Sequence, residues 1–230
     1  WAKTVIQSNK IDVPVQVVPL GVDASIFKPV EPSKQEKTIF FNCGKWEIRK
    51  GHDILHKAFK KVAELHENVE LWMMCENPFN SPEEEHQWQT LYKQPKIRII
   101  PRVKTQEEVY NIMRQTDCGV FPSRAEGWNL EALEMMSCGK HVIVTDYSAH
   151  TEFCTKDNAD LVTINKTELA YDGKWFHGQG NWAKIEDKHV DEIAQYMCNF
   201  HLDKRYNKSG VETALEFSWN NTARKILEYV

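Results

Sequence analysis

The sequence predicts an α/β protein built on a doubly wound parallel sheet, Rossmann-like in form, and three observations carry that expectation. Short apolar runs at 38–43, 69–75, 97–100, 118–121 and 141–145 have the length of buried strands. Between them lie stretches with helical spacing, of which 52–66 is the plainest, with Leu55, Ala58, Phe59, Val62 and Ala63 falling on one face. Polar, glycine-containing turns follow the strands, most clearly at Phe121–Leu130, and place hydrogen-bonding groups where such sheets bind ligands.

Taken in chain order, Val15–Pro19 reads as a first short strand and Thr38–Cys43 as a second, followed by the helix from His52 to His66 and a strand at Val69–Cys75. Residues 76–94, with Pro78, Pro82 and the acidic run Glu83–Glu85, read as a surface insertion carrying a short helix. After the strand Ile97–Ile100, Thr105 and Glu108 have capping-box spacing for a helix ending near Thr116. Cys118–Phe121 is a short buried strand and Pro122–Trp128 a turn. Asn129 is an N-cap for an apolar-periodic helix that stops at Gly139. A strand at His141–Thr145 follows, Asn165–Lys188 reads as a long surface loop, and the chain from Val190 onward is helical. This β-α-β-α order implies parallel strands joined by helical crossovers.

Composition narrows the function classes. A chain of 230 residues can bury a full core as one domain. Its net charge of -4, with acids and bases interspersed, argues against a nucleic-acid platform, which needs a broad basic face. No apolar run reaches the roughly 18 to 20 residues that cross a bilayer, so the expected location is cytoplasmic. The six cysteines have no C-x-x-C pairing and read as reduced, structural thiols; the N-x-S/T sequences at Asn165, Asn207 and Asn220 read as chance matches. His52 and His56 stand four apart, but Asp53 follows the first histidine where a zinc-protease helix needs Glu, and no metal site is expected. Dinucleotide and P-loop glycine signatures are both missing, which removes the oxidoreductase and P-loop NTPase readings.

The informative constellation is Glu126 and Glu134, eight residues apart across a loop-to-helix junction. Glu126 precedes the helix and Glu134 lies about one and a half turns inside it. The free N–H groups of the helix start between them favour an anion, and each carboxylate seeks hydroxyls. Lys45 and Lys50 flank the turn after the Thr38–Cys43 strand, where two cations and the following helix start can hold a diphosphate without metal. Glu131 reads as facing solvent or a neighbouring lobe.

This Glu-x(7)-Glu spacing resembles the signature of retaining GT-B glycosyltransferases of the GT4 family, the glycosyl transferases group 1. Further matches follow in order: Pro19-Leu20-Gly21-Val22-Asp23, then Gly44, Lys45, Lys50 and Gly51 of a phosphate loop, Asp117–Ser123, Cys138–Thr145 and Phe217–Trp219. The resemblance implies the C-terminal, nucleotide-sugar-binding half of a GT-B fold. Residues 1–14 are then a linker remnant from an absent N-terminal acceptor lobe, and 15–230 the donor domain; the chain opens on Trp1 rather than Met. The implied function is transfer of a sugar from a nucleotide-diphosphate sugar, with retention of configuration, to a glycan, lipid or other acceptor. No cofactor or metal is required, and this fragment alone is expected to be inactive. Any peripheral membrane contact would come through the missing lobe.

Carried over residue by residue, Lys45, Lys50 and Glu126 take catalytic positions. Gly44, Arg102, Val103, Gly127, Trp128, Asn129, Leu130 and Glu134 take positions around nucleotide and sugar, with Arg102 and Val103 at the base and Glu134 on the ribose. Two departures stand out: Lys45 replaces the family's Arg and loses its two-pronged fork, and Asn129 replaces a small residue. Those departures keep a second reading open, a catalytically silent nucleotide-binding or interaction domain with the same fold.

Overall fold

The computed structural model describes residues 1–11 and 13–229; of the 1–14 and 15–230 segments, Asp12 and Val230 lie outside the described residues. A six-stranded parallel sheet forms the centre, with strands β1 (Thr38–Gly44), β2 (Val69–Cys75), β3 (Ile97–Ile99), β4 (Cys118–Phe121), β5 (His141–Thr145) and β6 (Asp160–Val162) in the order β3-β2-β1-β4-β5-β6. The chain winds outward in one direction from β1 and in the other from β4, and the two are parallel neighbours pairing Phe40 with Cys118. Their carboxyl ends therefore open the crevice at the switch point.

The strands read as unbroken apolar runs because both faces are covered. Successive side chains still alternate between two cores. Phe40, Leu71, Val120 and Ile143 point to one, beneath helices α2 (His52–Leu65) and α6 (Asp187–Leu202). Phe41, Trp72, Phe121, Val142 and Val144 point to the other, beneath α5 (Leu130–Ser137) and α7 (Lys208–Glu216). Helix α4 (Gln106–Met113) starts on the capping box expected from Thr105 and Glu108, with both reciprocal hydrogen bonds formed. All six cysteines are free thiols, five of them buried.

Three expectations are corrected. Val15–Pro19 forms no strand; none of its residues is buried, and the nearest pairing is a single bridge between Val22 and Ser218. Pro14 and Pro19 bracket this run and cannot donate to a ladder, so its apolar alternation finds no sheet edge. Residues 165–188 are not a loop. They hold an antiparallel hairpin of β7 (Thr167–Tyr171) and β8 (His177–Ala183), and α6 already begins at Asp187. Gly178 and Gly180 adopt positive φ of 91° and 99° within β8, and a register shift interrupts the pairing between Leu169 and Tyr171. Those irregularities erase the period-two pattern.

The insertion at 76–94 is more than surface. Its helix α3 (Pro82–Tyr92) stacks Trp88 and Tyr92 on buried Trp46 of the β1–α2 loop, with centroids 5.8 and 5.4 Å away. The hairpin tip also reaches this insertion. Lys174 bonds Asn80 at 3.1 Å and Glu84 at 2.8 Å, while Trp175 meets Phe79 edge-on at 5.7 Å. Helices α1 (Ala2–Ser8), which buries no residue, and α8 (Trp219–Leu227) complete the elements. Among the described residues, no helix is long and apolar enough to cross a membrane.

Candidate functional site

A cleft of about 470 Å³ opens at the carboxyl ends of β1, β2 and β3, between the β1–α2 loop, the segment 102–106 and helix α5. The β1–α2 loop is shaped by a short 3-10 turn at Ile48–Lys50 ending on Gly51 in the left-handed conformation, φ 72°. A Cβ at Gly51 would stand 2.0 Å from the carbonyl oxygen of Pro122, so glycine lets this loop touch the β4–α5 loop backbone to backbone. Arg124 tightens the same junction. Its backbone N–H donates to Arg49 O at 2.7 Å and its guanidinium grips both Asp53 oxygens at 2.9 and 2.8 Å.

Lys50 is carried by that turn into a buried position, its stem lying against Gly44, where a Cβ would meet it at 3.1 Å. Its ammonium stands 3.0 Å from Glu126 Oε1 and 3.1 Å from Glu131 Oε1. Burial opposes the Lys50 charge, but Glu131 and Glu126 outweigh it and hold the ammonium protonated above its ordinary range. Burial likewise works against ionised Glu126, and Lys50 and Arg49 reverse that, keeping the carboxylate below the usual range. Ser123 adds a hydroxyl bond to Glu126 Oε1 at 2.6 Å.

Arg49 supplies the other side of this network. Its Nη1 donates to Glu126 Oε2 at 2.8 Å and to Ala125 O at 2.7 Å, while Nε and Nη2 donate to Glu47 Oε2 at 3.1 and 2.8 Å. Helix α5 begins at Asn129, which holds a left-handed φ of 76° and accepts from Ala132 N–H as the N-cap expected of it. The Asn129 amide nitrogen and the Trp128 indole nitrogen are buried donors with no hydrogen-bond partner among the described residues. One turn after Glu131, Glu134 lines the cleft; burial and the Glu131 charge raise its carboxyl to about 8.

The cleft thus gathers Gly44, Lys45, Lys50, Arg102, Val103 and Glu134 of the residues singled out by sequence. Lys45 is exposed and its ammonium lies 4.8 Å over the Phe79 ring. Glu126, Gly127, Trp128, Asn129 and Leu130 are not part of the cleft wall. Gly127 is exposed at the loop crest, and Trp128 packs between Phe153 and Phe217, at 5.3 and 5.6 Å. Glu131 does not simply face solvent, because Lys50 engages it.

Arg49 and Glu47 were not singled out by sequence. Their only signal in the sequence is a pair of opposite charges two residues apart, directly before Lys50. Among the described residues, no group of three His, Cys, Asp or Glu side chains is arranged to hold a metal ion.

Residues 36–172, more than half of the chain, match the family described as glycosyl transferases group 1. The chain belongs to that family. Among similar proteins is an uncharacterised glycosyltransferase of Methanocaldococcus jannaschii, 23% identical over 199 residues, which cover 80% of this chain and 47% of that one. The chain spans about half the length of the curated relatives it matches. Two solved structures share the fold. Sucrose-phosphate synthase from Thermosynechococcus elongatus superposes with a TM-score of 0.74 at 18% identity, covering 99% of this chain and 55% of that one. The C-terminal domain of a glycosyl transferase group 1 protein from Francisella tularensis, LpcC, gives a TM-score of 0.59 at 19% identity over 90% and 98% of the two chains. The fold is that of a GT-B C-terminal domain.

Proposed function

We propose that this chain is the donor-binding domain of a retaining, nucleotide-sugar-dependent glycosyltransferase of the GT4 type, acting with an N-terminal acceptor lobe. The observation that carries this reading is the composition of the cleft. Lys45 and Lys50 on the β1–α2 loop and Arg102 on the facing segment bring positive charge to its walls, and Glu134 lines it from α5, where we assign it to the ribose diol. As the anomeric bond breaks, negative charge grows on the diphosphate. Fixed cations in a shielded site stabilise that charge more strongly than water does, which lowers the barrier to transfer. Lys50 is the main candidate for this role and Lys45 the second; the protein's own cations make a divalent metal unnecessary. Arg102 and Val103 lie where the base would rest. The acceptor is a glycan, a lipid or another hydroxyl carrier, and the expected location is cytoplasmic.

One observation favours the silent-domain reading: Glu126, assigned to the donor sugar, is engaged by Lys50, Arg49 and Ser123 and does not line the cleft. Calorimetric titration with UDP, GDP and ADP, and then with UDP-glucose, GDP-mannose and ADP-glucose, separates the two. Binding of a nucleoside diphosphate that tightens when the sugar is present supports the donor domain. Nucleotide binding with no sugar increment supports the silent domain, and no binding to any of the six overturns both.

A further inference from the structure

We propose that Arg49, braced by Glu47, is the positioning residue for the donor sugar: it holds the Glu126 carboxylate in place when Lys50 turns from Glu126 to an incoming diphosphate. This deepens, and rests on, the reading of the cleft as a nucleotide-sugar site.

The argument begins from the acceptor capacity of Glu126. A carboxylate offers about four lone-pair positions. Three are filled in this structure, by Ser123 and Lys50 on Oε1 and by Arg49 on Oε2. Arg49 and Lys50 both line the cleft, but every nitrogen of Arg49 is engaged by Glu126, the Ala125 carbonyl or Glu47, whereas the single ammonium of Lys50 is shared between Glu126 and Glu131. A diphosphate carries more negative charge than either carboxylate and draws the ammonium toward itself. That movement frees a lone pair of Glu126 for a sugar hydroxyl and at the same time removes one of its two cations.

A buried carboxylate left without a cation would swing away or take up a proton. Arg49 prevents both. It contacts Glu126 and the neighbouring Ala125 carbonyl through one nitrogen, so the side chain and the backbone carrying it are fixed together. Glu47 holds the other two nitrogens, which fixes the guanidinium plane and leaves it no freedom to follow Lys50 to the phosphate. Nucleotide binding and sugar binding are thereby divided between adjacent residues: Lys50 answers to the diphosphate, Arg49 to Glu126.

The test compares dissociation constants for a nucleoside diphosphate and its nucleotide sugar, using whichever of the UDP, GDP and ADP pairs the wild-type chain binds best. Arg49→Ala is expected to leave the bare diphosphate within about threefold of wild type, while the ratio between the two constants falls toward one. Guanidinium chloride below denaturing concentration should restore the ratio, and sodium chloride at equal ionic strength should not; a merely structural role gives no such rescue. Glu47→Gln, which keeps the guanidinium but loosens it, should give an intermediate ratio and decides the matter if Arg49→Ala does not fold. Equal losses for both ligands would make Arg49 a phosphate ligand and overturn the proposal, as would an unchanged ratio. A wild-type chain that binds nucleotide without any sugar increment overturns the sugar site itself, a result distinct from failure of the clamp.

Discussion

Glu131 and Glu126 hold the same ammonium: Lys50 Nζ lies 3.1 Å from one carboxylate and 3.0 Å from the other. Any anion that enters the cleft competes with both. Glu131→Gln removes one competitor and one negative charge from the cleft, so nucleoside diphosphate affinity should rise by up to about fivefold, the scale of a partly exposed charge pair. Calorimetry checks this, and a loss of affinity would mean that Glu131 itself serves the ligand.

Lys50→Ala should weaken nucleoside diphosphate binding by about 1.5 to 3 kcal/mol, the scale of a charge-assisted hydrogen bond, and leave the free nucleoside nearly unchanged. Added EDTA should not alter wild-type binding. Equal losses for diphosphate and nucleoside would place Lys50 away from the phosphates.

The Glu134 carboxyl, raised to about 8 by burial and Glu131, makes the cleft sensitive to pH. A raised carboxyl favours the folded state fully below the ordinary value of 4.5, and that contribution is lost as pH rises through about 8. Wild type should therefore lose thermal stability between pH 5 and pH 9 relative to Glu134→Gln. Ribose binding has the opposite sign, because the diol prefers the ionised carboxylate. Nucleotide affinity should rise with pH up to about 8, by at most about tenfold per unit, and Glu134→Gln should flatten the profile. A flat wild-type profile would remove Glu134 from the ribose.

Gly51→Ala should destabilise the chain by roughly 2 kcal/mol or more, since it adds a Cβ 2.0 Å from Pro122 O at a left-handed φ of 72°. Denaturant unfolding measures this, and a change under about 0.5 kcal/mol would show that the two loops separate easily.

Much of the sheet was legible because both its faces are buried: the strands at 69–75, 118–121 and 141–145 have the bounds their apolar runs imply. The Thr105 and Asn129 caps were equally plain, since a cap is a local event between neighbouring residues. The hairpin at 167–183 was not, because glycines at positive φ and a register shift break the alternation on which strands are recognised. The 15–19 segment misled in the opposite way, presenting a strand pattern with no edge to join. At the site, sequence order placed Lys50 and Glu134 on the cleft but gave no sign that Glu126 is held back from it. That fact depends on Arg49, which lies 77 positions away along the chain and comes within bonding distance only after β1 and β4 pair.

The hook between Lys174 and Trp175 at the hairpin tip and Phe79, Asn80 and Glu84 of the 76–94 segment joins two segments outside the central sheet that lie about ninety residues apart in the chain. Each supplies the other with an aromatic contact and an ion pair, alongside partners of its own such as Lys45 over Phe79 and the Ser81 N–H on Glu84. Shortening one would remove the ring-to-ring contact and the ion pair of the other. The two segments therefore brace one another across the surface, and a minimised version of this domain should remove both or keep both.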